Sequence, residues 1–186
     1  MGLFLFLFYI SPCQASKSDT SSCAALVLSG SDCKLEDRPK PIPGYTDAVA
    51  LVLRRGAQIL YAKRGNETTG SGNWGFVGGK LDAGESIREA AERESLEEIG
   101  VSFLNPEIVT VSLTQDGNKK FRVFVVLADL AGDALIQPGE EGKLSDLLFL
   151  KYSEEPFPMF EPTKAYFNFV HQKLIEKFRS GSYLKN

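Results

Sequence analysis

Residues 86–100 of this 186-residue chain carry both a start signal and a stop signal for a helix. Ser86 followed three residues later by Glu89 is a capping box, in which each side chain satisfies a free backbone N–H of the other residue. Gly100 readily takes the left-handed conformation that ends a helix. The sequence therefore predicts a helix from Ser86 to Gly100, and the fold must accommodate the side chains along it.

The inward face of this helix changes from apolar to acidic along its length. At about 100° per residue, Glu94, Glu97 and Glu98 continue the stripe of apolar residues that begins in the range 87–91. Glutamates that only meet solvent belong on the opposite side, and three that face inward repel one another and lose water. Hard divalent cations prefer such oxygen ligands. The stripe therefore predicts a metal site where the helix leaves the core.

The spacing of these residues resembles the signature of the Nudix hydrolases. The matching residues are Gly79, Glu85, Arg93, Glu94, Glu97, Glu98, Gly100 and Val101. Ser95 stands where the family usually has an apolar residue, a change that concerns packing rather than metal ligation. The resemblance implies that Mg²⁺ (or Mn²⁺) supports cleavage of nucleoside diphosphates linked to another moiety, and that Glu85 and Arg93 form a structural salt bridge.

The resemblance also implies which residues bind the metal. Glu94 and Glu98 would be direct ligands, Glu97 a further ligand directly or through water, and Gly79 a ligand through its backbone carbonyl. Glycines at 78 and 79 suit this role, because they let the backbone approach a ligand closely.

Several glutamates are candidates for the general base that takes a proton from the attacking water. Glu97 or Glu98 could serve, and so could Glu140 or Glu141, in the loop before the last strand. The alternative for the latter pair is a solvated acidic loop. The flanking glycines, 139 and 142, would let this loop close over a substrate.

Candidate substrate-binding residues surround the signature. Arg64 and Lys80 could meet phosphate groups, and Trp74 and Phe76 could stack on a base. The alternative is a surface arginine in the case of Arg64, and simple packing of the loop in the case of either aromatic residue. The substrate is a nucleoside diphosphate derivative, such as a nucleotide sugar, or a nucleoside triphosphate hydrolysed in a sanitising role. A nucleotide-binding module without turnover is the third interpretation, and the complete set of three glutamates argues against it.

The remaining patterns and the resemblance together predict an α/β fold, a Nudix-type α/β/α sandwich around a mixed sheet. Strands are predicted at 47–53, 58–61, 108–113, 121–130 and 147–150, with a turn at Asp116-Gly117. A final helix from Thr163 has an apolar face consisting of Phe167, Val170, Leu174 and Phe178.

The domain organisation follows from a change in composition near residue 45. Residues 1–44 are predicted to be a leader and a linker, and residues 45–186 the Nudix domain. The nonpolar run 2–10 is too short to span a bilayer, but with a small-x-small site at Ala15 it resembles a signal peptide. Export after cleavage near Ala15 and a cytoplasmic location both stay open, as does a Cys23–Cys33 disulfide.

Charge and composition narrow the choice of partners. The net charge is −3 and no basic cluster is present, so nucleic-acid binding is not expected. The expected partner is a small-molecule nucleotide. Nothing in the sequence predicts the oligomeric state.

Overall fold

The computed structural model of the protein describes residues 27–29, 33–139 and 141–179. Neither helix in these ranges is long and apolar enough to cross a membrane. The strands are β1 (Val27–Ser29), β2 (Tyr45–Arg55), β3 (Gln58–Arg64), β4 (Trp74–Gly75), β5 (Leu104–Asp116), β6 (Lys119–Asp129) and β7 (Leu144–Lys151); the helices are α1 (Ile87–Ile99) and α2 (Glu161–Arg179).

Some predictions fall on residues that the structure does not describe. The leader, with Ala15 and Cys23, lies outside the described ranges, so signal cleavage and the Cys23–Cys33 disulfide stay predictions. The side chain of Phe178 also lies outside them.

The strands form one mixed sheet in the order β1-β5-β6-β2-β3-β4, with β7 also pairing with β3. The β2–β6 pair is parallel and the other pairs are antiparallel. The hairpin between β5 and β6 turns at Gly117, whose φ of 58° suits the predicted Asp-Gly turn. The predicted mixed sheet is confirmed.

One helix packs on each face of the sheet, which confirms the predicted sandwich. Alternate residues of β2 point to opposite faces. Leu51 and Leu53 meet the α1 residues Ile87, Ala90 and Ala91 in one core. Ala50 and Val52 meet the α2 residues Tyr166, Phe167, Val170 and Leu174 in the other core.

The strands β2 and β3 diverge soon after the turn that joins them. They pair only at Arg54↔Ile59 and Arg55↔Gln58. The segment 74–80 fills the resulting wedge: its first two residues pair with β3, and the rest bonds to β2. Val49 N–H donates to the Gly79 carbonyl over 2.8 Å. The glycines of the Nudix signature are therefore held at sheet level, next to α1.

Part of the predicted N-terminal linker packs against the domain. Leu35 is buried in the α1-side core. The carbonyl groups of Asp37 and Leu35 accept hydrogen bonds from the first two N–H groups of α1, over 3.1 and 2.8 Å. The structure therefore differs from the predicted linker over residues 33–38, because these carbonyls satisfy helix donors that have no partner within the helix. Ahead of them, β1 pairs with β5.

Candidate active site

The helix α1 has the caps that the sequence predicts. Ser86 Oγ accepts from Glu89 N–H over 3.2 Å, and Ser86 N–H donates to Glu89 Oε2 over 2.8 Å. Gly100 ends the helix with φ 73°. Since the glutamates follow the helix period from this start, the caps determine which of them face inward.

Two of the three signature glutamates are buried. Glu94 is 6% exposed and Glu98 is 9% exposed, whereas the side chain of Glu97 is 40% exposed. Glu94 and Glu98 are four residues apart, so they share one face and follow the fully buried Ala90 and Ala91. Glu97 lies toward the edge of the same face.

The glycine pair at 78–79 forms the backbone wall next to these carboxylates. Gly78 N–H donates to Glu98 Oε2 over 3.0 Å, with a φ of 147° that side-chain-bearing residues rarely adopt. A Cβ atom at Gly78 would overlap the Val49 carbonyl, and one at Gly79 would overlap the Glu94 carboxylate. Position 78 therefore requires glycine on steric grounds, whereas a side chain at Gly79 would have to displace the Glu94 carboxylate.

Burial makes the two inward carboxylates hard to ionise. It raises the pKa of Glu98 to about 7, because the Gly78 hydrogen bond offsets the loss of water only partly and the Glu94 charge opposes ionisation further. Burial also raises the pKa of Glu94, against the opposing effect of Arg93. Lys143 and Arg64 contribute the positive charges that favour ionised Glu98. A cation at this position would relieve the same cost.

Arg93 binds two further glutamates besides Glu85, its predicted partner. Its Nε donates to Glu85 Oε1 over 2.9 Å, as expected from the signature. Its Nη1 also donates to Glu94 Oε1 over 2.7 Å and to Glu97 Oε2 over 3.1 Å. The four-residue spacing of Arg93 and Glu97 is a sequence signal for this contact. Hydrogen bonding to these carboxylates raises the pKa of Arg93, so it stays a fixed cation in the site.

The residues next to the glycine pair provide only part of the ligand set that a hard divalent cation requires. Among the described residues, no three acidic, histidine or cysteine side chains form a metal-binding group. Glu94, Glu98 and the Gly79 carbonyl oxygen supply the oxygen chemistry that Mg²⁺ and Mn²⁺ require. The carbonyl already accepts one hydrogen bond and retains a second lone pair. Glu97 is held by Arg93 instead.

A cavity of about 250 Å³ opens beside the glycine pair, on the α2 side of the sheet. Arg64, Lys80, Gly78 and Gly79 line it. Trp74 does not: its side chain is buried in the α2-side core, where the Lys63 ammonium lies 5.7 Å from the ring centroid. Phe76, two residues later, lines the cavity instead.

Arg64 is held against an aromatic wall of this cavity. Its guanidinium carbon lies 4.1 Å from the centroid of Phe160, and its Nε donates to the Thr69 carbonyl over 2.6 Å. Burial lowers the pKa of Arg64, opposed by the negative charges of Glu98 and Asp116. The sequence analysis missed Phe160, Tyr166 and Asp116 as cavity residues. Their positions depend on strand pairing and helix docking, for which the sequence has no local signal.

The loop before β7 packs on the C-terminal end of α1. Gly139 N–H donates to the Glu98 carbonyl over 2.7 Å, and Glu67 N–H donates to the Gly142 carbonyl over 3.2 Å. The glycines that the sequence analysis assigned to loop closure thus permit close backbone packing. Glu141 is exposed in this loop, and Glu140 lies outside the described residues.

Residues 44–170 match the NUDIX domain family model, which covers more than half of the chain. The chain therefore belongs to the Nudix family, and the fold and the signature on α1 agree with that membership.

Individual relatives match over shorter stretches. The chain is 35% identical over 78 residues to the uncharacterized Nudix hydrolase YvcI of Bacillus subtilis (strain 168), covering 39% of this chain and 49% of the relative. It is 40% identical over 63 residues to the CTP pyrophosphohydrolase of Escherichia coli (strain K12), covering 34% and 47%. The chain thus spans about half the length of these curated relatives.

A solved structure matches over more of the chain. The crystal structure of a MutT NUDIX hydrolase from Burkholderia pseudomallei has a TM-score of 0.61 and 25% identity, and the match covers 67% of this chain and 97% of that one. The similarity therefore covers nearly all of that structure and about two thirds of this chain.

Proposed function

We propose that this chain hydrolyses a pyrophosphate bond in a nucleoside diphosphate derivative, such as a nucleotide sugar, with Mg²⁺ or Mn²⁺ as cofactor. The observation that supports this most is that the same two glycines border both the acidic residues and the cavity. Gly78 and Gly79 contact the buried carboxylates of Glu94 and Glu98, and the same two glycines line the 250 Å³ cavity. A nucleoside in the cavity would therefore present its phosphates next to the acidic residues.

The buried carboxylates and the Gly79 carbonyl would hold the cation. Glu94 and Glu98 would be direct ligands, and Glu97 would join them after releasing Arg93. The bound cation would neutralise charge on the phosphate oxygens and lower the pKa of the attacking water. Before it binds, Arg93 and Lys143 supply the positive charge near Glu94.

Arg64 and Lys80 would bind the phosphate groups. The terminal nitrogens of Arg64 make no hydrogen bond with another described residue, since only its Nε is engaged, by Thr69. A guanidinium held 4.1 Å from the Phe160 ring centroid could offer two parallel N–H groups to phosphate oxygens, which is a strong and directional contact. Lys80 would add a point charge at the rim.

The proton of the attacking water would pass to a carboxylate. The partly exposed side chain of Glu97, next to the buried pair, supports it in this role. Glu98 is the second candidate on the helix, and Glu141 and Glu140 are the candidates from the loop before β7. A general base must reach the attacking water in the bound state, so variants of each candidate distinguish them.

A nucleoside triphosphate is the second candidate substrate. The similarity to a CTP pyrophosphohydrolase over 63 residues favours it. A module that binds nucleotides without turnover is disfavoured by the buried pair, because two desolvated carboxylates cost stability that only a cation would recover.

The test is a substrate panel with purified full-length protein and Mg²⁺, Mn²⁺ or excess chelator. Diphosphate derivatives are followed through phosphate released by alkaline phosphatase, and triphosphates through inorganic pyrophosphatase. We expect metal-dependent release from at least one class. No release above the chelator control from any member of either class would overturn the proposed activity.

A further inference from the structure

The cavity has two chemically different ends. At one end, Arg64 and Lys80 lie with Gly79, beside the buried carboxylates. At the other end, Thr114 and Asp116 line the cavity from the last residues of β5, and Lys119, the register partner of Asp116, lines it from the start of β6. The first end, with two cations and backbone glycines, suits phosphate groups, and the second carries the acidic residue of the cavity next to a lysine.

The strand order separates these ends. Thr114 and Asp116 belong to β5, which is followed across the sheet by β6, β2 and the segment 77–80. Three spacings between neighbouring strands put the backbone of Asp116 about 14 Å from the segment 77–80, although the Asp116 charge still acts on the Arg64 guanidinium across the cavity. A nucleotide is elongated, with phosphate at one end and the edge of its base at the other, so it can reach both ends at once.

The middle of the cavity suits a flat ring. Its floor is formed by the small side chains of Ala48 and Ala50 on β2. Phe76 and Tyr166 stack on each other, with their ring centroids 6.2 Å apart, and supply one aromatic wall. Stacking on aromatic side chains accepts any base, so these residues hold a base without selecting it.

Asp116 is the acidic residue of the cavity lining, so it can select a hydrogen-bond donor on the base. Its side chain is half-buried, and its carboxylate makes no hydrogen bond or ion pair with another described residue. Thr114 lies two residues earlier on the same strand face, and its hydroxyl makes no hydrogen bond with another residue that the structure describes. A half-buried carboxylate without a donor is costly, so a ligand that supplies one is favoured.

We propose that Asp116, supported by Thr114, binds the exocyclic amino group of the substrate base. An ionised carboxylate only accepts hydrogen bonds. It therefore favours cytosine, guanine or adenine, and disfavours uracil or hypoxanthine, which have a carbonyl oxygen or a hydrogen in place of the amino group. This assignment of a substrate class rests on the proposed function, because that function orients the phosphates toward Gly79.

The test measures binding of nucleoside monophosphates to the full chain by calorimetry in matched pairs: CMP with UMP, GMP with IMP, and AMP with IMP. We expect the amino-bearing member of at least one pair to bind about tenfold more tightly, the scale of one hydrogen bond to a charged group. Asp116→Asn should remove that preference. Asp133→Asn makes the same change at an exposed position outside the cavity and should retain it.

Monophosphates contain no pyrophosphate bond, so this measurement does not depend on turnover. Equal affinities within every pair, no binding of any monophosphate, or a preference that persists in Asp116→Asn would each overturn the inference. If members of the substrate panel are hydrolysed but no base is preferred, the role of Asp116 is excluded and the proposed hydrolysis stands. If a base is preferred in binding but nothing is hydrolysed, the proposed hydrolysis is excluded and the role of Asp116 stands.

Discussion

Gly79 and Glu94 occupy adjoining space: a Cβ atom on Gly79 would overlap the Glu94 carboxylate. The backbone of Gly79 thus lies directly against the buried Glu94 carboxylate, and a side chain at this position would displace that carboxylate.

Gly79→Ala should displace the Glu94 carboxylate or the segment that bears the carbonyl ligand. We expect turnover to fall about 100-fold, the scale of a misplacement of about 1 Å in an active site. Gly132→Ala is the matched control, since a methyl group there meets no atom within 4 Å. The measurement is kcat for both variants, and an active Gly79→Ala would contradict a site formed by Gly79 and Glu94.

Glu98→Gln should lower the activity without lowering the stability of the fold. We expect kcat to fall about 100-fold or more, because the change removes a main electrostatic group of the site. The free energy of unfolding without metal should stay the same or rise, because a desolvated carboxylate next to Glu94 is lost. Glu92→Gln, exposed on the same helix, should leave both unchanged. Full activity in Glu98→Gln would exclude it as a metal ligand.

Glu141→Gln tests the loop before β7 as the source of the general base. If this loop supplies the base, kcat should fall, the acid limb of the pH–rate profile should disappear, and metal affinity should be nearly unchanged. Glu98→Gln, in contrast, should weaken metal binding as well. Wild-type behaviour in both Glu141→Gln and Glu140→Gln would assign the proton to α1, with Glu97 as the acceptor.

Leu35→Ala tests whether the segment ahead of the family match belongs to the folded unit. Leu35 is buried against the α1-side core, so we expect a loss of about 2 kcal/mol or more in the free energy of unfolding. Leu135→Ala makes the same change at a 93% exposed position and should cost little. A chain starting at Pro41 should lose stability in the same direction, because the Ile87 and Arg88 N–H groups lose their acceptors. Urea unfolding measures all three.

The capping-box residue Glu89 should make the stability of the fold depend on pH. Hydrogen bonds from the Ser86 backbone and from Arg38 lower the pKa of Glu89 from 4.5 to about 2. The ionised form is favoured in the folded state, so this contribution is complete above pH 4.5 and is lost as the pH falls toward 2. The stability difference between the native chain and Glu89→Gln should therefore shrink over that window. A difference that is constant from pH 6 to pH 2 would contradict the capping role.

The sequence by itself determined the elements whose signals are local. The Ser86–Glu89 capping box and Gly100 predicted α1 to within a residue, because a cap is satisfied by residues only three positions apart. The hairpin turn at Asp116-Gly117 was also predicted from a local signal, the Asp-Gly dipeptide. The helix period predicted that Glu94, Glu97 and Glu98 face inward. This holds for Glu94 and Glu98, whereas the side chain of Glu97 is 40% exposed at the edge of that face.

The tertiary structure alone decided what these side chains meet. Phe76 lines the cavity and Trp74 does not, because β2 and β3 diverge and the segment 74–80 bonds to a different strand at each end. Asp116 shares a cavity with Arg64 because β5, β6 and β2 lie side by side, in an order that no local pattern records. Such contacts join residues far apart in the chain, and their energies depend on the packing of the whole sheet rather than on local propensity.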